Sequence, residues 1–177
     1  MRPFILMLFA MSLFAVEYDS LLMRAQASVF PKIMLLDQGI AQKTVSGAIV
    51  LSIIYSPDEM LLAKDFKGLI YKEFQAQLGE YEFKVELVPI DKFTRSIKSS
   101  AYFLFNTLES TKQEVISHTI EQQRICFSYH YKDFKNKVLI SLFVKEKTYI
   151  YLNKSVLNDY GVKFVPIFYK IAKVKES

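Results

Sequence analysis

Cys126 and His130 come nearest to a reactive pair, standing four residues apart in the stretch CFSYH. A strand rises about 3.3 Å per residue, so both side chains share a face but lie roughly 13 Å apart. That is too far for one metal ion or for a thiol activated by an imidazole. The other histidine, His118, neighbours Val115 and Ile116 and reads as a residue at a packed boundary. The apolar run over 48–55 is followed by Ser56-Pro57-Asp58-Glu59, without the glycines that let backbone amides approach a phosphate. No catalytic, cofactor or metal site is legible, so the expectation is a protein that binds rather than catalyses. The stronger binding signal is aromatic. Phe127, Tyr129, Tyr131 and Phe134 run off the end of an apolar segment into a polar connection. Aromatic side chains there either pack a sheet edge or anchor a ligand or a partner.

The elements that must position these residues follow from periodicity. Asp19 or Ser20 can cap a helix in which Leu21, Leu22, Ala25, Val29, Ile33 and Leu36 recur at helical spacing, and Pro31 is expected to kink or interrupt it. The β-branched run 48–55 suits a strand covered on both faces. A helix is expected over 59–78, stopped by Gly79, then a strand over 83–90 with Pro89 near its end. A short helix over 91–97, a buried strand over 101–105, a helix over 108–123 and a strand over 125–129 come next. Two facing alternating runs, 138–144 and 148–152, form a hairpin with Tyr149 and Tyr151 on one face and Ile150 and Leu152 on the other. Asn153 can cap a short helix over 154–160 that ends at Gly161. Strands separated by helices imply parallel pairing. The expected fold is α/β, a three-layer α/β/α sandwich, mostly parallel, with a C-terminal antiparallel edge hairpin.

Composition sets the limits. With 177 residues, 51% apolar and 15% aromatic, the chain can bury a substantial core, and it shows no repeat. A net charge of +5 spread along the chain, without an Arg-rich stripe, gives no footprint for nucleic acid. Arg2 followed by the apolar stretch 4–14 and the small Ala15 has the form of a signal peptide, too short to span a bilayer. Residues 1–15 are therefore expected to be a leader and 16–177 a single domain, secreted and not membrane-spanning after cleavage. The lone cysteine, Cys126, sits in an apolar run and reads as a buried, inert thiol.

The C-terminal segment resembles the YfiR family of periplasmic regulators. The resemblance rests on Tyr149-Ile150-Tyr151-Leu152-Asn153, then Leu157, Gly161-Val162-Lys163-Phe164 and Phe168-Tyr169-Lys170-Ile171-Ala172. Upstream, the order of leader, helix, β-rich run and short buried strand at 102–105 also agrees. Two family features are absent here, the Cys pairs and a Trp-Pro after the first helix. The resemblance implies a repressor that binds the periplasmic sensor portion of an inner-membrane diguanylate cyclase, lowering cyclic-di-GMP and restraining biofilm formation. It implies no cofactor. It places Tyr151, Asn153, Leu157 and Lys163 on or beside the partner surface, to which the aromatic loop adds Tyr131 and Phe134. A homodimer through the edge hairpin is a further expectation. The alternative is a periplasmic small-molecule-binding module serving a transporter or receptor.

Overall fold

A computed structural model describes residues 19–105 and 109–176, so the leader expected over 1–15 lies outside the described residues. Helix α1 (Ser20–Met34) is capped by Asp19, whose carboxylate accepts from the amides of Leu21 and Leu22. The helix runs through Pro31 without interruption. Pro31 lies in the last turn, and burial of Phe30, Ile33 and Met34 around it outweighs the missing amide.

Strand β1 (Ile49–Tyr55) is buried along its whole length. After it come α2 (Met60–Phe74), the short β2 (Gln77–Leu78), β3 (Tyr81–Pro89), β4 (Ala101–Leu104), α3 (Glu109–Glu121) and β5 (Ile125–Ser128). The C-terminal part comprises β6 (Ile140–Val144), β7 (Thr148–Asn153), α4 (Lys154–Tyr160), α5 (Pro166–Ile171) and β8 (Lys173–Lys175). The strands form one sheet in the order β2-β3-β1-β4-β5-β6-β7-β8. Five of them, β3-β1-β4-β5-β6, are parallel in the doubly wound arrangement. Between the described strands of the sheet, the antiparallel pairs are β2–β3 and β6–β7.

Alternate side chains divide the sheet between two helical layers. Phe30 of α1 stacks on Phe127 at 4.3 Å, and Phe66 of α2 stacks on Phe103 at 4.4 Å. On the opposite face Tyr102 meets His118 of α3, and the Thr119 hydroxyl reaches toward the Tyr160 hydroxyl of α4. Three layers result, as the alternation of strands and helices implies.

Four further details differ from the sequence expectation. Helix α2 ends at Phe74, not near residue 78, because Gln75 takes the left-handed cap at φ 49° and donates its amide to Tyr71. Gly79 instead supplies the positive φ of the tight β2–β3 hairpin. The helix expected over 91–97 is only a 3-10 turn, Ile90–Lys92. The outer edge of the hairpin is covered in part, since β8 pairs in parallel with Tyr151–Asn153 of β7 and leaves Thr148–Ile150 at the edge. Strand pairing with a second copy could use β8, the Thr148–Ile150 part of β7 that β8 leaves uncovered, or β2 at the other edge.

Candidate functional site

Beyond Ser128 the chain leaves β5 and turns through a 3-10 segment, Tyr131–Asn136. Buried polar contacts fix that turn. The Ser128 hydroxyl donates to the Asp133 carboxylate, whose other oxygen meets Lys112 Nζ of α3 at 2.6 Å. Both members of the Lys112–Asp133 pair are buried, so removing one alone would strand a charge at a cost of about 3–5 kcal/mol. From the other side the Asn153 amide donates to the carbonyls of Phe134 at 3.0 Å and Val138 at 3.3 Å. Asn153 is the residue before α4, but its side chain makes no capping bond to that helix. It holds the turn against β7 instead of capping.

The turn thereby lays its rings on those of the hairpin. Tyr131 lies 5.2 Å from Tyr151, 5.6 Å from Phe143 and 6.2 Å from Phe134, measured between ring centres. Lysines of β8 cover the outer rings. Lys173 Nζ is 3.7 Å from the centre of Tyr149, and Lys175 Nζ is 4.6 Å from that of Tyr151. Lys175 also donates to the Tyr131 hydroxyl at 3.2 Å. Tyr149 and Tyr151 do share one face, because β7 alternates as the sequence implies.

Tyr131 divides two concavities. One, of about 490 Å³, is lined by Leu22, Tyr129, His130, Asp133, Leu142 and Phe143 among others. The second, of about 440 Å³, lies between Phe134, Lys135 and Lys175. Burial pulls the His130 pKa below its ordinary value, against the opposing pull of Asp133. Burial also raises that of Tyr129, whose hydroxyl accepts the Asp19 amide at 2.8 Å and ties α1 to this end of the sheet.

Of the six residues singled out in the sequence, Tyr131, Phe134, Tyr151 and Asn153 come together here. Phe134 and Tyr151 are only 5% and 8% exposed, so they support the face more than they present it. Leu157 is half-buried against the core on α4. Lys163 is exposed near the opposite end of the sheet, beside Arg124 and Gly161. Sequence reasoning passed over Lys173 and Lys175, because three exposed residues in a tail carry no strand signal until β7 pairs with them. It also passed over the Lys112–Asp133 pair, whose members are 21 residues apart and meet only through the fold.

Cys126 is fully buried, and burial pushes its thiol pKa up to about 12. His118 is buried as well, between Tyr102 and Phe93. No group of three or more His, Cys, Asp or Glu among the described residues is arranged to hold a metal ion. No described helix is long and apolar enough to cross a membrane.

No protein-family model matches the chain, and no curated protein matches it. Solved structures do share its fold. A conserved-domain protein from Vibrio cholerae superposes with a TM-score of 0.61 at 12% identity, covering 86% of this chain and 59% of that one. An ABC domain from Streptococcus pneumoniae in complex with L-Trp superposes with a TM-score of 0.54 at 12% identity, covering 81% of this chain and 60% of that one. The chain thus spans about three-fifths of the length of either neighbour. At this identity the likeness is one of fold.

Proposed function

We propose that this chain is a non-catalytic periplasmic regulator of the YfiR kind. It binds the periplasmic sensor portion of an inner-membrane diguanylate cyclase and holds the cyclase inactive, which lowers cyclic-di-GMP and restrains biofilm formation. The observation that carries the reading is the aromatic face pinned by Asn153. Two residues of the C-terminal motif, Tyr151 and Asn153, join Tyr131 and Phe134 of the loop after β5 in one cation-rimmed patch. Aromatic rings held rigid by packing, with a polar rim, are suited to anchoring a protein partner.

Repression requires tighter binding to the inactive cyclase than to the active one. Moving that equilibrium from 1:99 to 99:1 takes about a 10⁴-fold preference. The test is cyclic-di-GMP in cells carrying Tyr131→Ser or Lys175→Glu, two changes at the accessible rim. The reading predicts a rise to the level of a deletion strain with the protein still folded and exported. Unchanged cyclic-di-GMP in both variants removes this face from the mechanism.

A second reading is favoured by the concavities beside Tyr131, whose volumes of about 490 and 440 Å³ suit a small ligand. The neighbour in complex with L-Trp supports the same reading. In it the chain is a periplasmic binding module serving a transporter or receptor. A rise in melting temperature with one class of metabolite, lost in Tyr131→Ser, would support it over repression alone.

A further inference from the structure

The end of the sheet opposite Tyr131 is built around Arg124, which links α3 to β5. Its guanidinium is half-buried and fixed by two backbone carbonyls. Nε donates to Ser99 at 3.1 Å and Nη1 to Gln122 at 2.9 Å, and neither bond uses Nη2. Among the described residues Arg124 enters no ion pair. Arg95 nearby is different, because both oxygens of Glu121 hold it. A cation withdrawn from water and held by carbonyls alone retains strong attraction for an anion. Burial accordingly lowers the Arg124 pKa from its ordinary value.

Two cavities meet at this side chain. One, about 360 Å³, opens between the Thr44–Ser46 turn and Lys98. The other, about 370 Å³, lies between Gln38, Lys43, Gly161 and Lys163. Together they are lined by Lys43, Lys98, Arg124 and Lys163 against one carboxylate, Asp37. That carboxylate is already occupied, since Lys43 Nζ lies 2.5 Å from one oxygen and the Gly39 amide donates to the other at 2.9 Å. Lys98 and Lys163, like Arg124, enter no described ion pair. Three cations without carboxylate partners therefore flank a small double cavity.

We propose that the cavities meeting at Arg124 form a binding site for a small oxyanion ligand carrying two or more phosphate or carboxylate groups. Arg124 holds one group through the free edge of its guanidinium, with Lys98 on one side and Lys163 on the other. The planar fork suits either oxyanion, and low-dielectric walls concentrate the field of the three charges. The site is independent of the aromatic face and survives the failure of either reading given above.

The test is calorimetric titration of the mature protein at low salt with pyrophosphate and, separately, with citrate. At least one is expected to bind at sub-millimolar Kd, weakened at least tenfold in Arg124→Gln and several-fold in Lys98→Gln and Lys163→Gln. The two lysines are exposed, so their variants keep the fold even if Arg124→Gln loses stability with its carbonyl bonds. Preference for pyrophosphate assigns a phosphate ligand, and preference for citrate a polycarboxylate. Binding of neither probe, or binding that all three variants leave unchanged, overturns the proposal.

Discussion

The side-chain amide of Asn153 reaches back 19 residues to donate to the carbonyl of Phe134 at 3.0 Å. This bond and its companion to Val138 fasten the loop that carries Tyr131 to the strand that carries Tyr151. Asn153→Ala leaves two buried carbonyls without these donors, at about 1–3 kcal/mol for each. A loss of roughly 2–6 kcal/mol is expected in urea unfolding, with the Tyr131 loop more open to proteolysis. A loss under about 0.5 kcal/mol would mean that the loop is held by Lys112–Asp133 alone.

Gly161 ends α4 at φ 58°, and a Cβ placed on it would stand 2.9 Å from Gln123 Nε2. Gly161→Ala therefore meets both backbone strain and a side-chain clash, together costing about 1–2 kcal/mol. Gln123→Ala should relieve the clash but not the strain. A double-mutant cycle is expected to return a coupling of about 0.5 kcal/mol or more. Strict additivity would show that Gln123 swings away freely.

Cys126 gives a clean report of global opening. With its pKa pushed up to about 12 by complete burial, almost no thiolate exists at pH 8 in the native protein. Ellman's reagent should label it only as fast as the protein unfolds, and urea should accelerate labelling along the unfolding curve. Rapid labelling of the native protein would contradict the burial described for β5.

His130 predicts a pH dependence. Its unfolded value is about 6.5, and burial sets the folded value lower. Between the two values the unfolded chain holds a proton that the native protein does not. Stability is therefore full above about pH 6.5, declines as pH falls through the folded value, and then levels off. The urea midpoint should be lower at pH 5 than at pH 7.5, and His130→Gln should reduce that difference. An equal difference in both proteins would remove His130 as its source.

Much of the fold was legible because the chain's local signals agree with one another. The buried run over 48–55, the hairpin alternation, the helix over 154–160 and the stop at Gly161 all stand where the pattern puts them. The failures share a cause. Gly79 was read as a helix stop, but Gln75 took the left-handed cap and freed the glycine for a hairpin. Pro31 was read as a break, but a last-turn position and heavy burial made it tolerable. At the site, the aromatic run after β5 pointed to Tyr131 and Phe134, and the resemblance pointed to Tyr151. The residues that arrange them, Lys112, Asp133 and Lys175, act through contacts more than 20 residues apart in sequence. The resemblance placed Asn153 beside the site and its position before α4 suggested a cap, but its side chain makes a long-range bond to the loop.

The central claim is that the face around Tyr131 touches a diguanylate cyclase. The most direct test replaces Tyr131 with a photo-reactive phenylalanine analogue in intact cells and identifies the crosslinked protein by mass spectrometry. Glu80, exposed in the β2–β3 turn, carries the same analogue as a control. The account predicts an inner-membrane protein with a cytoplasmic cyclase domain, captured from position 131 and not from position 80. Failure to capture a cyclase from position 131, or equal capture from both positions, would contradict it.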